Sequence, residues 1–310
     1  MIKKNDLIYV AGHKGLLGSA IVKNLKNNNF KNILTIEKQK LNLLNQEKTY
    51  LFLKKRKPKM IFIAAAEVGG IGANVNNPGL FIFNNLQIQN NLINGAKING
   101  IKNIIFIASS AIYPKNITRP HKETDILKSS LEKSVEPYAI AKIAGIKMCE
   151  AYNKSYNLNY KSLIPCNSYG PNDNFDEKTS HFFPSLLIKA LKLKRQKDNK
   201  KKFILWGNGK ARRELVHIDD IADACIYFMN KKSESIINIG LGSDRTILNY
   251  AKIIMKILNI KNKIHFDLSK PSGVKRKLLD ISLAKKYGWK PKISLEHGIK
   301  EVLNQNRDKF

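Results

Sequence analysis

The chain has 310 residues, among them 55 lysines and arginines against 24 aspartates and glutamates, which gives a formal net charge of +31. A chain of this length can bury a substantial core, as one large domain or as two intimate ones. No apolar run approaches the length of a membrane span, and the opening residues MIKKND lead directly into an apolar segment, so we expect neither a membrane helix nor a signal peptide.

The first predicted element is a short buried strand over residues 6–11 (DLIYVA), and the glycine-rich string GHKGLLG follows it directly. An apolar helix pattern comes next, so the order is strand, turn and helix. This order places backbone N–H groups and a helix N-terminus against a diphosphate. Gly12 permits the tight turn, Gly15 lets a pyrophosphate approach, and Gly18 lets helix and strand pack closely. The string therefore predicts a dinucleotide site.

Apolar, β-rich segments alternate with helical patterns through the first half of the chain. Strands are predicted over residues 33–36, 60–65, 104–108 and 161–164, and helices over residues 15–28, 78–99 and 137–157. Such alternation is typical of right-handed crossovers between parallel strands. We therefore predict the α/β class, with a doubly wound parallel (Rossmann) sheet.

The second half of the chain is less regular. Its composition becomes loop-rich after YGP at residues 169–171, WGNG at residues 206–209 predicts a turn, and the apolar segment 236–239 is expected to rejoin the sheet. We predict a nucleotide-binding Rossmann domain over residues 1–168, to which 214–240 returns. A smaller, interleaved C-terminal substrate domain is predicted over 169–213 and 241–310.

A tyrosine and a lysine stand four residues apart on the predicted helix 137–157, so Tyr138 and Lys142 lie on one face about one turn apart. Free tyrosine has a pKa of about 10, and a fixed cation nearby lowers that value. Ser109, at the end of an apolar strand, can contact the same carbonyl oxygen of a substrate. In a lysine-rich chain this spacing alone also fits an exposed helix pair. Together with the glycine turn it favours hydride chemistry at a ketone or an alcohol.

The positive net charge suggests nucleic-acid binding as an alternative function. Lysines are spread along the whole chain, however, and the densest basic stretch, residues 192–202, has no aromatic side chain that could stack on a base. We interpret it as a solvated surface whose field attracts an anionic substrate such as a nucleotide sugar. The three cysteines (Cys149, Cys166 and Cys225) lie far apart without metal-ligand spacing, which predicts a reduced cytoplasmic setting and no metal site.

Seven strings in the chain resemble those of the extended short-chain dehydrogenases/reductases, and within that family those of the enzymes that make GDP-L-fucose. They are AGHKGLLGSA, LNLL, AAAEVGGIGAN, EPYAIAKIAGIKMCE, YGPNDNF, WGNGKARRELVHIDDIADA and KPSGVKRKLLD, and they extend from Ala11 to Asp280. The resemblance implies an NADP-dependent enzyme that epimerises C3 and C5 of GDP-4-keto-6-deoxy-D-mannose and then reduces C4. It also implies a homodimer formed through the Tyr-x-x-x-Lys helix, with no nucleic acid and no membrane as partner.

The resemblance also implies a role for individual residues. Ser109, Tyr138 and Lys142 would reduce C4, and His181 would be an acid-base group. Cofactor binding is expected from Gly12, His13, Lys14, Gly15, Leu16, Leu17, Gly18, Lys38, Ser109, Lys142, Pro165, Cys166, Asn167, Ser168 and His181. The GDP-sugar would be held by Lys189, Trp206, Arg213 and Lys277.

Glu37 complicates the choice of cofactor. A carboxylate about twenty residues beyond the glycines usually bonds the free ribose hydroxyl of NAD. The alternatives are that Glu37 is turned away or is paired with Lys14. We expect NADP, because Lys14 and Lys38 stand where the family has basic residues for the 2′-phosphate.

Several positions depart from the family pattern. Ala111 stands where the family has the cysteine base for C3 and C5, and alanine cannot carry a proton. Epimerisation needs an acid-base group on each face of the sugar ring. His181 supplies at most one of these groups, and Cys166 is an alternative base. Ser272 and Glu67 replace the usual aspartate and lysine, which suggests an altered sugar specificity. Lys189 stands where an arginine is usual and offers a phosphate a point charge in place of a bidentate fork.

Three functions follow from these residues. The leading one is the complete epimerase-reductase. The second is C4 reduction of a GDP-deoxysugar with weak or absent epimerisation, and here the missing base predicts an unepimerised, C4-reduced sugar among the products. The third, more remote, is a non-catalytic nucleotide- or nucleic-acid-binding protein.

Overall fold

The computed structural model describes residues 1–176, 179–198, 200–270 and 274–306. Its strands are β1 (Ile8–Ala11), β2 (Ile33–Leu34), β3 (Met60–Ile63), β4 (Asn103–Ile107), β5 (Asn159–Pro165), β6 (Asn167–Tyr169), β7 (Phe203–Trp206), β8 (Arg212–Arg213), β9 (Leu215–His217), β10 (Ile236–Ile239), β11 (Arg245–Thr246), β12 (Ile264–Asp267) and β13 (Arg276–Lys277). Its α-helices are α1 (Leu16–Asn27), α2 (Gln46–Arg56), α3 (Ile71–Asn76), α4 (Pro78–Ile98), α5 (Glu136–Tyr156), α6 (Phe182–Gln196), α7 (Ile218–Asn230), α8 (Ile247–Leu258), α9 (Ser282–Lys286) and α10 (Leu295–Gln305).

Six strands form one parallel sheet in the order β10-β5-β4-β3-β1-β2. The central strands are apolar over their whole length and buried on both faces, as in β1 and β3, because helices cover both sides of a parallel sheet. The segment 236–239 rejoins the sheet beside β5, with Ile237 opposite Leu163. The α/β class and the doubly wound parallel sheet predicted from the sequence are confirmed.

Helices cover the two faces of the sheet in two groups. α1 packs on α7, whereas α5 packs on α4, which also contacts α2. Right-handed crossovers put these groups on opposite faces. The bounds of α4 and α5 lie within one residue of the predicted helices, and Pro78 begins α4 at a position where proline needs no hydrogen-bond partner.

A second cluster of buried side chains forms beyond β6. It gathers residues of α6, α8, α10 and β7, among them Phe183, Phe203 and Tyr250. Three small sheets flank it, in the orders β11-β8-β13, β12-β7 and β6-β9. Part of the C-terminal chain, from Leu279 to Trp289, packs on the first cluster instead. Two clusters built from interleaved segments agree with the expected two-domain plan, whose boundaries stay a prediction.

Candidate active site

The glycine turn joins β1 to α1 at the carboxyl edge of the sheet. Gly12 has a φ of +86°, and a β-carbon on it would lie 2.6 Å from the backbone nitrogen of Ala65 in the loop after β3. Gly15 is the N-cap residue of α1, where no side chain caps the first N–H groups and no acidic residue stands in the first turn. An anion can therefore use these N–H groups and the positive end of the helix, so the turn fits a dinucleotide diphosphate.

Next to this turn, on the side expected to hold the adenosine, the structure decides between the alternatives given for Glu37. Lys14 Nζ lies 2.7 Å from Glu37 Oε1, so Glu37 is paired with Lys14. The hydrogen bond and the charge of Lys14 lower the pKa of the Glu37 carboxyl. Both side chains are well exposed, and such an exposed pair is held weakly. Lys38 beside it is exposed.

Three predicted catalytic residues meet where β4 ends. Ser109 Oγ accepts a hydrogen bond from the backbone N–H of Ala111 at 3.2 Å. Tyr138, in the first turn of α5, shares a side-chain hydrogen bond with Ser109. Lys142 Nζ lies 5.9 Å from the centroid of the Tyr138 ring and donates to the carbonyl of Ile107 at 3.0 Å. The structure thus brings Ser109, Tyr138 and Lys142 together.

The pKa of the Tyr138 hydroxyl lies above that of free tyrosine. Burial raises the pKa of Tyr138 to about 12, and the hydrogen bond with Ser109 acts in the opposite direction. Burial also lowers the pKa of Lys142 to about 7. In this structure burial has the larger effect on the tyrosine pKa, and the Lys142 amine is directed at a carbonyl; the expectation that Lys142 lowers this pKa stays a prediction. The Tyr138 hydroxyl is therefore protonated at neutral pH and can donate its proton.

The segment predicted to lie along the nicotinamide follows β5. Pro165 ends β5, Asn167 and Ser168 belong to β6, and Cys166 lies between the two strands. The Cys166 thiol donates to the carbonyl of Asn167 at 3.3 Å. Burial, reinforced by the nearby Glu214 carboxylate, raises the pKa of this thiol well above its ordinary value. Cys166 is thus protonated at neutral pH, which weighs against it as the alternative base.

His181 stands at the N-cap position of α6. The residue is exposed, and partial desolvation lowers the pKa of its imidazole, which favours the neutral ring that can accept a proton. The chain just before it rests on the loop after β3, since a β-carbon on Gly70 would lie 3.2 Å from the carbonyl oxygen of Ser180. The same loop approaches Phe81, whose ring lies 6.5 Å from that of Tyr138.

Trp206 and Lys189, two of the predicted substrate residues, lie together on an exposed surface. Trp206, at the end of β7, is 57% exposed. Lys189 Nζ lies 5.3 Å from its ring and donates to the carbonyl of Ile204, and Lys270 Nζ lies 5.9 Å from the ring. A flat ring beside two ammonium groups suits a nucleobase and its phosphates. The sequence did not single out Lys270, because one lysine among so many carries no local signal.

The other two, Arg213 and Lys277, are neighbours on paired strands, β8 and β13. The Arg213 guanidinium donates to the carbonyls of Val274 and Arg212, both at 2.8 Å. The residue after Arg213 carries a carboxylate that the sequence did not reveal as important. Glu214 is fully buried and accepts hydrogen bonds from the backbone N–H groups of Gly242 and Leu279. Its position in the string RREL, just before an apolar strand, was the available signal.

Glu67 and Ser272 are two further positions that depart from the family pattern. The Glu67 carboxylate accepts a hydrogen bond from Asn84 Nδ2 at 3.3 Å, and the Glu67 backbone N–H donates to Asn85 Oδ1. Ser272 lies outside the described residues.

A glycine turn, a Ser–Tyr–Lys group at the carboxyl edge of the same sheet and a second cluster over that edge are typical of the extended short-chain dehydrogenases/reductases. Residues 8–240 match the model of the NAD dependent epimerase/dehydratase family. The chain belongs to this family, and it is an enzyme that uses a nicotinamide cofactor. The non-catalytic alternative is set aside.

Several proteins resemble the chain over nearly its full length. The GDP-L-fucose synthase of Escherichia coli is 39% identical over an alignment 316 positions long, which covers 98% of this chain and 98% of that protein. A GDP-6-OMe-4-keto-L-xylo-heptose reductase from Campylobacter jejuni has a TM-score of 0.91 and 34% identity, covering 100% of this chain and 99% of the other. A GDP-mannoheptose C4 reductase from the same organism, with NADP bound, has a TM-score of 0.89 and 36% identity, covering 99% and 100%. The resemblance predicted from the motifs is confirmed.

Across the described residues, none of the helices combines the length and the apolar character needed to cross a membrane.

Proposed function

We propose that the protein converts GDP-4-keto-6-deoxy-D-mannose into GDP-L-fucose, by epimerisation at C3 and C5 and NADPH-dependent reduction at C4. The observation that carries this proposal is the position of Ser109, Tyr138 and Lys142 at the sheet edge that also bears the glycine turn. The E. coli relative, whose name states that it makes GDP-L-fucose, supports the same substrate.

The residues divide the C4 reduction between them. When bound, the nicotinamide supplies the hydride to C4. The Tyr138 hydroxyl, protonated because its pKa is about 12, gives its proton to the C4 oxygen. The Ser109 hydroxyl donates a hydrogen bond to the same oxygen and stabilises the charge that develops there. Lys142, fixed by the carbonyl of Ile107, holds its amine over the tyrosine ring.

The nucleotide half of the substrate is proposed to lie on Trp206. Its ring would stack on the guanine, and Lys189 and Lys270 would approach the diphosphate. Lys189 offers a point charge in place of the bidentate fork of an arginine. Arg213 and Lys277 would contact the sugar end.

The cofactor is proposed to be NADP, supported by the NADP-bound C4 reductase among the similar structures. Glu37 is paired with Lys14, and Lys38 is free to approach a 2′-phosphate. We expect NADPH to be preferred over NADH, and Lys38→Ala to erode that preference by about tenfold, equivalent to about 1.4 kcal/mol. Steady-state rates with both cofactors measure this, with Lys31→Ala as the exposed control. Equal use of both by the unmodified protein would show that Glu37 governs the ribose.

Product analysis in deuterated water tests the proposed function. The protein is incubated with GDP-4-keto-6-deoxy-D-mannose and NADPH, and the products are identified by NMR. We expect GDP-L-fucose that carries deuterium at C3 and C5. Failure of the ketone to oxidise any NADPH would refute the proposal as a whole.

A second candidate keeps the C4 reduction and omits epimerisation. It is favoured by Ala111, whose methyl group packs against the hydrophobic core and offers no proton. The two C. jejuni proteins, named for reduction, are similar in structure. In this case the product in deuterated water is a C4-reduced sugar without deuterium at C3 or C5.

Restoring the missing thiol should change the product ratio. With Ala111 in place we expect slow epimerisation, and therefore some unepimerised, C4-reduced sugar beside GDP-L-fucose. Ala111→Cys adds a base next to Ser109 and should raise the epimerised fraction, since a positioned base contributes about a hundred- to ten-thousand-fold in rate. NMR integration of the products measures the ratio, and Ala111→Ser, of similar size but weakly acidic, is the control. An unchanged ratio would mean that position 111 does not face C3 or C5.

The homodimer stays a prediction from the resemblance, and the cytoplasmic location stays a prediction from the three separated cysteines. Two exposed apolar side chains on helices that pack on each other, Phe83 (61%) on α4 and Ile140 (44%) on α5, support the dimer.

A further inference from the structure

The loop after β3 contains two adjacent glycines, Gly69 and Gly70, and buried asparagines hold its backbone from two helices. Asn85 on α4 accepts from the backbone N–H of Glu67 at 3.1 Å and donates to the carbonyl of the same residue at 3.0 Å. Asn74 on α3 donates from Nδ2 to the carbonyls of Gly69, at 3.0 Å, and Gly70, at 3.1 Å. Glycine allows many backbone conformations, so these bonds select one of them.

The Asn74 side chain is only 4% exposed, and its donors are directed at this loop. Its backbone N–H also donates to the carbonyl of Gly70, at 3.2 Å. In the part of the chain that the structure describes, Asn74 Oδ1 is buried without a hydrogen-bond partner. The two donated bonds therefore orient the side chain, and an ionised carboxylate in its place, which can only accept, would oppose two carbonyl oxygens.

On one side the loop rests on the chain that leads into His181. A β-carbon on Gly70 would lie 3.2 Å from the carbonyl oxygen of Ser180 and 3.3 Å from that of Thr179. The two backbones approach this closely because residue 70 has no side chain. His181 is the next residue, at the N-cap of α6, so the position of Gly70 limits where the backbone of the histidine can lie.

On its other side the loop contacts the surroundings of the reductive residues. A β-carbon on Gly69 would lie 3.2 Å from Cζ of Phe81. The centroid of the Phe81 ring lies 6.5 Å from that of Tyr138, in an edge-on arrangement. In addition, α3 packs on the short turn Lys133–Val135 that leads into α5. Adjacent residues of one loop therefore face the neighbourhood of Tyr138 and the approach to His181.

Epimerisation depends on the distance across this loop. The C4 carbonyl is expected to be bound by Ser109 and Tyr138 while His181 exchanges protons with the neighbouring carbons. A base must lie within hydrogen-bond reach of the proton that it removes, and an error of about 1 Å in its position can cost about a hundredfold in rate. Reduction of C4 uses Tyr138 and the hydride, so it does not depend on where His181 lies.

We propose that Asn74 is a positioning residue for the epimerisation. By fixing the Gly69–Gly70 loop, it sets the distance between His181 and a ketone bound at Ser109 and Tyr138. Asn74 exchanges no proton with the sugar and acts through the backbone of the loop. This inference rests on the proposed epimerase function and assigns a role in it to a buried residue outside the predicted binding sites.

Two variants displace the loop by different means. Asn74→Asp keeps the size of the side chain but replaces two donated hydrogen bonds with repulsion between oxygens. Gly70→Ala adds a β-carbon against the carbonyls of Ser180 and Thr179, so the neighbouring segment must give by a few tenths of an ångström.

Each variant is incubated with GDP-4-keto-6-deoxy-D-mannose in deuterated water without NADPH, and NMR follows deuterium and configuration at C3 and C5. We expect kcat for this exchange to fall about ten- to a hundredfold in both variants, with KM for the GDP-sugar nearly unchanged.

Both variants have a matched control. Gly72→Ala adds a β-carbon in α3 itself, where it meets no atom of the described residues within 4 Å. Asn99→Asp removes an equivalent pair of bonds at the opposite end of α4 from Phe81, because Asn99 Nδ2 donates to the carbonyls of Gly95, at 2.8 Å, and Tyr50, at 3.4 Å. Exchange in the two controls should match that in the unmodified protein.

The product ratio with NADPH present excludes a merely structural effect. A displaced loop should leave more C4-reduced, unepimerised sugar beside GDP-L-fucose, because only epimerisation depends on His181. General damage to the fold lowers the amount of active protein and leaves the ratio unchanged. NMR integration measures the ratio, and NADPH affinity and thermal unfolding are recorded for every variant.

The outcomes separate this inference from the proposed function. Exchange that is as fast in Asn74→Asp as in the unmodified protein would overturn the role of Asn74 and leave the function intact. Slower exchange with an unchanged product ratio would do the same. If Asn74→Asp does not fold, Gly70→Ala decides by the same two measurements. Absence of exchange in the unmodified protein, with C4 reduction retained, would overturn the epimerase half of the proposed function and this inference with it.

Discussion

Replacing Tyr138 with phenylalanine should slow the reduction of C4 by about a hundred- to ten-thousand-fold while NADPH affinity stays nearly unchanged. The substitution removes only the hydroxyl that shares a hydrogen bond with Ser109. The ring that packs near Phe81 and below the Lys142 amine remains. NADPH oxidation measures the rate, and a fluorescence titration measures cofactor binding.

Tyr156→Phe is the matched control for this prediction. It removes a hydroxyl from the same helix, on a tyrosine that is 49% exposed and stands at the far end of α5. Full activity is expected of the control. A fully active Tyr138→Phe protein would remove Tyr138 from the role of proton donor, and weak NADPH binding by that variant would mean that the substitution had disturbed the cofactor site.

Replacing Gly18 with alanine should abolish cofactor binding at ordinary concentrations. The added β-carbon would lie 2.0 Å from the carbonyl oxygen of Gly12 and 2.6 Å from its carbonyl carbon. These are backbone atoms of the diphosphate turn, so the turn must move away from α1. Overpacking of this kind costs about 1–3 kcal/mol, and about 2.7 kcal/mol lost from binding is a hundredfold in affinity. Titration with NADPH and thermal unfolding measure the two effects.

Gly79→Ala is the control for the glycine turn. A β-carbon on Gly79, at the start of α4, meets no atom within 4 Å, and alanine is favoured over glycine in a helix. We expect unchanged cofactor affinity and equal or higher stability. Normal NADPH binding by Gly18→Ala would show that the turn tolerates displacement and that the diphosphate is held elsewhere.

The parts of the fold that the sequence predicted are those encoded by local patterns. The buried strands β1 and β3 are continuous apolar runs, and α4 and α5 carry long helical patterns with proline near the start. The site at the sheet edge could be predicted for a related reason. The glycine turn and Ser109 each follow a strand directly, and parallel strands end at one edge.

The parts that it did not predict depend on which distant segments pair. Lys270 approaches Trp206 because β12 pairs with β7, and Lys277 lies beside Arg213 because β13 pairs with β8. Neither pairing has a local signal. The effect of burial on the pKa of Tyr138 was not predicted for another reason. Sequence spacing shows that a lysine is near, but not that burial of both groups outweighs its charge.

Glu214, whose carboxylate is buried, connects the two predicted ligand sites through hydrogen bonds. Its backbone carbonyl receives a hydrogen bond from Asn167 on the nicotinamide flank, and its side chain receives one from Leu279, two residues beyond Lys277. A third bond comes from Gly242, just after the last strand of the central sheet. In the proposed binding mode, the segments that hold the cofactor and the sugar share this one anchor. A shift imposed by one ligand would then reach the segment that holds the other, and we expect the two affinities to be thermodynamically linked.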